Sequence, residues 1–272
     1  MAGMDILVLS FFLTMAAGTS IICYHYLKKA WREFRDSFYI IRHDGISGTN
    51  SYGESAYAGV EGKVEPIDGS STVTAPLTKT ECLAFTYSVE IEGGSENSND
   101  GSVSEANDVY VTVEEGEELT AFLLVDGANR FRVSPDGATL AFETERYVNY
   151  PWRELPESIQ SYIESSPLIE PQETIINSIV TYILGDHQLF REGRLERGGD
   201  VYVRGTIQPS PSDAFDGIIH AGPNPEEFVI YNISRRQALW NAAKRGMVAL
   251  IPGLLTLLII GLALFASVSL II

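Results

Sequence analysis

The sequence predicts an α+β fold: a β-rich soluble domain, an antiparallel sheet or partial barrel, inserted between two transmembrane α-helices. Three observations predict it. Two long runs without charge lie near the ends of the 272-residue chain. Between them, residues 43–234 hold 33 acids and 10 bases, a balance of 10 − 33 = −23 against −17 for the whole chain. Through most of that middle, apolar residues recur with a period of two, as in strands with one buried face. The mean hydropathy is nonetheless slightly positive, so apolar and acidic character are segregated along the chain. An acidic middle repels phosphate backbones, and nucleic acid is not an expected partner.

Ile6–Leu27 is 22 residues without Asp, Glu, Lys or Arg, a helix of roughly 33 Å against a hydrocarbon core of about 30 Å. No basic residue precedes it and no A-x-A site follows, so it reads as a span and not as a cleaved signal. Met247–Ile272 is 26 uncharged residues, interrupted only by Pro252 near its start, where a helix tolerates proline best. Lys28, Lys29, Arg32 and Arg35 follow the first span, and Arg235, Arg236, Lys244 and Arg245 precede the second. By the positive-inside rule both termini then face outward and the middle faces the cytoplasm, with the same bases available to anionic lipid. Trp31, Phe34 and Trp240 lie where an interfacial aromatic belt belongs.

In the middle, residues 28–54 read as a juxtamembrane helix and linker, with the domain occupying 55–233. Strand patterns cover Tyr57–Val64, Glu81–Glu92, Val109–Val113, Leu119–Val125, Arg130–Val133, Ala138–Phe142, Gln188–Arg194, Asp200–Ile207 and Phe228–Ile233. Asp126-Gly127 signals a hairpin and Asp136-Gly137 a turn. Glu114, Glu115, Glu117 and Glu118 around Gly116 read as a solvated hairpin tip. Gly93–Asp108 reads as an exposed polar insertion. Leu155, Ile159, Tyr162 and Ile163 have helical spacing beginning near Pro156, while Ile175–Leu184 fits helix or strand. Ser234 with Gln237 suggests a capping box, opening a juxtamembrane helix over 234–246.

Fourteen Arg and five Lys in so acidic a chain suggest a halophilic prokaryote, in which salt screens self-repulsion. The melting temperature should then rise steeply from low to molar KCl; a domain equally stable at both extremes contradicts a halophilic origin. Cys23 falls in the first span and Cys82 in the middle, so no disulfide is expected between them.

Several motifs come in a characteristic order. Gly59-Val60-Glu61-Gly62-Lys63-Val64 precedes Ala75-Pro76-Leu77 and Glu81-Cys82. Phe122-Leu123-Leu124-Val125-Asp126-Gly127 follows, then Leu195 to Gly205 (LERGGDVYVRG). With the flanking spans, the stretch from about 6 to 265 resembles the GIDE domain, also called BAM ("beside a membrane"), found in MULAN/MAPL-type mitochondrial-membrane E3 ubiquitin ligases and in many prokaryotic proteins. The resemblance implies a membrane-adjacent domain that binds substrates or partners. It marks Gly59, Gly62, Pro76, Cys82, Asp126, Gly198, Asp200 and Gly205 as family-motif positions with structural roles. Ligases of this family carry a RING with around eight Cys/His zinc ligands, whereas Cys23, Cys82, His25, His43, His187 and His220 are all this sequence holds. Ligase activity is therefore not carried over; the alternative is a ligase-like component acting with a separate catalytic partner.

Nothing else in the sequence reads as catalytic. Cys82, His187 and His220 lack ligand spacing. Glu96, Ser98, Asp100 and Gly101 only faintly resemble a calcium loop, with Asn107 where the bidentate Glu belongs. G-x-S-x-G, Walker A and H-E-x-x-H are absent. No G-x-x-x-G lies between Gly253 and Gly261 to pair the spans. The expectation is a membrane-anchored interaction module that binds an unidentified protein or membrane lipid, with no catalytic residue, cofactor or metal.

Overall fold

The computed structural model describes residues 14, 20–32, 34, 35, 37, 38, 40, 41, 56–67, 72–93, 109–150, 154–166, 169, 188–211, 214–223 and 227–271. They divide into two compact units: Met1–Asp44 with Arg235–Ile272, and Gly45–Ser234. The first holds helix α1 (20–32), with the described positions from 34 to 41 also helical. The second holds β1 (Ala56–Pro66), β2 (Val73–Thr74), β3 (Glu81–Cys82), β4 (Ala84–Gly93), β5 (Val109–Leu119), β6 (Phe122–Asp126), β7 (Asn129–Val133), β8 (Thr139–Leu140), β9 (Glu145–Val148), α2 (Glu157–Ser165), β10 (Gln188–Leu195), β11 (Asp200–Pro209), β12 (Gly217–His220) and β13 (Val229–Tyr231). Helix α3 (Arg235–Ile271) returns to the first unit.

Alternating apolar residues build the second unit around a small barrel. Its strands run in the order β1-β6-β7-β12-β11, and β11 pairs back onto β1. All pairs are antiparallel except β7 with β12. Numbered within the barrel the order is 1-2-3-5-4-1 with 3 and 5 parallel, the connectivity of an OB-type barrel. It is partly open, because β1 gives Ala56–Lys63 to β11 and Lys63–Pro66 to β6. Val60, Val64, Leu124, Phe131, Val203 and Ile219 point inward and exclude water from one core.

Two long excursions from the barrel meet as a second, antiparallel sheet, β5-β4-β10-β9. Val89 and Phe190 on this sheet pack with Ile159, Tyr162 and Ile163 of α2, the stripe that the helical spacing predicts. Leu83, Ala84 and Leu195 belong to the barrel core, so β4 and β10 carry the chain from one layer to the other. Leu83 marks the joint: its amide donates to the Leu195 carbonyl at 2.8 Å and its carbonyl accepts from Thr120 at 2.9 Å. The continuous strand expected over Glu81–Glu92 is therefore broken at Leu83.

The glutamate-rich hairpin tip is a second correction. Glu114, Glu115, Glu117 and Glu118 lie inside β5, an 11-residue strand paired with β4. Glutamate is a poor strand former, but β5 is the outer strand of its sheet among the described residues, and charge there discourages edge-to-edge association. Gly116 sits opposite Tyr87, whose ring would lie 2.7 Å from any Cβ at that position. Tyr87 in turn donates to Glu114 at 3.0 Å. Short strands β2, β9 and β12 carried too few residues for their alternation to be visible in sequence, and only Thr139–Leu140 of Ala138–Phe142 is paired. The linker 43–54, the polar insertion apart from Gly93, and Ile175–Leu184 lie outside the described residues.

The Asp126-Gly127 hairpin forms as expected: Asp126 faces Asn129, and Gly127 has φ 58° at the first of two loop positions, the pattern of a type II′ turn. Gly62 is constrained differently, since a Cβ there would lie 2.4 Å from the Val125 carbonyl oxygen. Gly62→Ala should lose about 1–3 kcal/mol by forcing β1 from β6, more than the roughly 1 kcal/mol for Gly127→Ala, whose Cβ meets nothing. Thermal unfolding of the two variants checks the order; equal losses contradict the close approach.

Candidate functional site: a cationic belt on paired helices

The first unit is an antiparallel helix pair. Cys23 Sγ donates to the Gly253 carbonyl at 3.5 Å, and Arg235 Nη2 donates to the Ile40 carbonyl at 3.3 Å. Between these ends Phe34 lies against Gly246. Cys23, Ala30, Ser37 and Ile40 are the buried side of the first helix; Ala238, Ala242, Gly246, Ala249 and Gly253 are that of α3. This small residue at every third or fourth position lets the backbones approach. The seam lies before the Gly253–Gly261 stretch and uses alanine as well as glycine, so no G-x-x-x-G marks it.

The expected juxtamembrane helix and second span are one continuous α3 of 37 residues. Pro252 does not end it: the helix continues to Ile271, and in the following turn Thr256 Oγ1 donates to the Pro252 and Gly253 carbonyls at 2.9 and 2.8 Å. Among the described residues α3 is the one helix long and apolar enough to cross a membrane, over Arg235–Leu262. Of the expected first span, 20–27 are helical; of 6–19, only Thr14 is described.

Pairing brings the two groups of bases to the same level. His25, Lys28, Lys29, Arg32 and Arg35 recur at helical spacing and, with exposed Trp31, line a cavity of about 340 Å³. Across the pair, Arg236, Lys244 and Arg245 are exposed, whereas Arg235 is half-buried against Ile40. Phe34 is half-buried and Trp240 exposed at that level. Such a belt presents several ammonium and guanidinium donors to one anionic group, while the long stems cover apolar surface.

The family-motif positions are joints of the body and do not gather at one place. Gly59 leaves room for the Tyr202 ring, and Gly205 for Phe228. Gly198 has φ 76° in the turn closed by Gly199 N–H on Glu196 O, and Asp200 starts β11 with an ion pair to Lys63 at 2.8 Å. Pro76 belongs to the Ala75–Thr80 turn, where Ala75 N–H bonds Thr80 O and Lys79 N–H bonds Ala75 O. Lys79 adopts φ 58° there and sets its ammonium 6.0 Å from the Tyr162 ring centroid.

A motif-free residue holds that turn. Glu192 on β10 is 1 % exposed, and its carboxylate accepts from Leu77 N–H, Thr78 N–H and Thr78 Oγ1. Arg194 completes it at 3.0 Å and reaches Glu196 and Glu145 at 3.0 and 3.2 Å. Burial works against the Arg194 charge, but these carboxylates outweigh it and hold the guanidinium firmly protonated. Sequence alternation placed Glu192 on a strand; its inward direction becomes apparent only with its partners.

Cys82 is buried beside this network, and the two cysteines are free thiols. Burial, then the Glu192 charge, pushes the Cys82 thiol up from 9.0 to about 11. It is no nucleophile at neutral pH. Among the described residues no three His, Cys, Asp or Glu side chains cluster as a metal site; His187 and the faint calcium loop lie outside them. Comparison with family models, curated proteins and solved structures finds no match for this chain.

Because the native state favours the neutral thiol, its contribution is intact below about pH 9 and disappears as pH rises toward 11. Iodoacetamide labelling of Cys82 in a Cys23→Ser background should be slow at pH 8 and accelerate only in that alkaline window. Labelling at pH 8 at the rate of the unfolded chain contradicts the burial.

Proposed function

We propose that this chain is a membrane-anchored interaction module of the GIDE/BAM kind, without catalysis of its own. The observation that carries the reading is the α3 surface: large apolar side chains face outward over several turns, directly beyond a belt of exposed bases. Lipid tails satisfy the first and anionic head groups the second. Three residues separate β13 from α3, so the β-rich body is tethered close in sequence to the membrane segment. Tethering raises its effective concentration toward other proteins at that surface. The charge-free Ile6–Leu27 supplies the second span, and the shared belt sets both spans in the same sense, with the body on the cytoplasmic side and both termini outside.

The belt has a direct test in native membranes carrying photoactivatable phosphatidylglycerol. Crosslinking to the chain should fall by at least about fivefold when Lys28, Lys29, Arg32 and Arg35 are all replaced by Gln, since each base contributes about 1 kcal/mol near an anionic surface, a factor of roughly five for even one of the four. Undiminished crosslinking contradicts the belt as a head-group site. Protein crosslinking in the same membranes should recover a reproducible partner on the body; recovery of none contradicts the interaction module.

A further inference from the structure

The outer face of the barrel holds an arginine without a counter-charge among the described residues. Val201, Val203 and Ile207 of β11 supply the barrel core, so Tyr202, Arg204 and Thr206 project from the opposite face. Arg204 is 5 % exposed, and its Nε and Nη1 are sealed from solvent without a hydrogen-bond partner. Among the described residues its recorded contact is an aromatic one: the guanidinium carbon lies 5.8 Å from the Tyr231 ring centroid. Tyr57 on β1 donates to the Glu227 carbonyl at 2.8 Å. Because β11 runs between β1 and β13, that bond carries the Tyr57 side chain across the strand bearing Arg204.

A second orphan lies beside it. His220 on β12 pairs with Thr206, making it the diagonal cross-strand neighbour of Arg204, about 7–8 Å away between Cα atoms. Its Nδ1 is 2.6 Å from the Ala221 carbonyl oxygen. A carbonyl only accepts, so Nδ1 carries a proton, and in the neutral ring Nε2 then presents a lone pair. Nε2 is also sealed and without a partner.

A stretch with 33 acids and 10 bases has carboxylates to spare, and Arg194 takes three. Burying unpaired guanidinium donors is costly, and stacking on one tyrosine offsets only part of that cost. Two adjacent orphans of complementary type define what satisfies both: oxygens that accept from Arg204 and a hydroxyl that donates to His220. Carboxylate and sulfate lack the hydroxyl near neutral pH, whereas a phosphate group in its singly protonated form carries both. We propose that Arg204 and His220, walled by Tyr57 and Tyr231 where β11 changes partner from β13 to β12, bind a phosphate monoester.

The test uses the full chain in detergent micelles, titrated separately with inorganic phosphate, glycerol 3-phosphate, dihexanoylphosphatidic acid and sulfate, and read by thermal unfolding and by phosphorus NMR line broadening. Phosphate should raise the melting temperature, with sulfate about tenfold weaker for want of one hydrogen bond. Arg204→Met, close in volume and free of donors, should fold and lose the response. His220→Leu should keep binding but lose the preference for phosphate over sulfate, which keeps the proposal testable if the Met variant does not fold. A stronger response to the short-chain lipid than to glycerol 3-phosphate identifies a lipid head group as the source, and equal responses a soluble monoester; both support the site. No response in the natural sequence, an equal one in Arg204→Met, or sulfate matching phosphate overturns it.

Discussion

The exposed apolar surface of α3 is the constraint on which the account of this molecule depends. Met247, Val248, Ile251, Leu254, Leu255, Leu257, Leu258, Ile259 and Leu262 are between 46 and 61 % exposed. At about 25 cal/mol for each Å² kept from water, such a surface cannot remain hydrated in a stable molecule. At roughly 1.5 Å per residue the 37 residues of α3 extend about 55 Å, well beyond a hydrocarbon core of about 30 Å. The excess accommodates the segment bearing Arg235, Arg236, Lys244 and Arg245. Length, hydropathy and charge are therefore compatible with a membrane-associated α3 whose bases precede its apolar stretch.

The acidic body solves a different problem: joining a barrel to a second sheet through two strands. Burying Glu192 there is costly, and the cost is met by local geometry, with two backbone amides, a hydroxyl and Arg194 on one carboxylate. Removing either charge of such a buried pair leaves the other uncompensated, a loss of about 3–5 kcal/mol. Beside this pair, burial first and the Glu192 charge second push the Cys82 thiol up, with Arg194 opposing.

Legibility in the sequence followed the length of each periodic signal. Helix α2 and strands β1, β10 and β11 could be read because eight or more residues repeat the same pattern. Two-residue β2 and four-residue β9 and β12 have too little periodicity to show. Val109–Val113 of β5 was legible, but its continuation to Leu119 was hidden by glutamates, which satisfy edge exposure and not local propensity. The belt was half legible: the bases stood out by number, but that Phe34 meets Gly246, bringing both groups level, depends on a small-residue seam spread over α3. Arg204 was invisible because alternation shows which face a residue occupies, not whether anything answers its charge.

Alkaline carbonate extraction of membranes bearing the full chain addresses the central physical claim most directly. Embedded apolar helices hold their protein in the lipid when ionic contacts are abolished, so the chain should remain wholly in the membrane pellet after washing at high pH. Release of the intact chain into the supernatant would mean that α3 is covered by protein or held only by its bases, and would contradict the account.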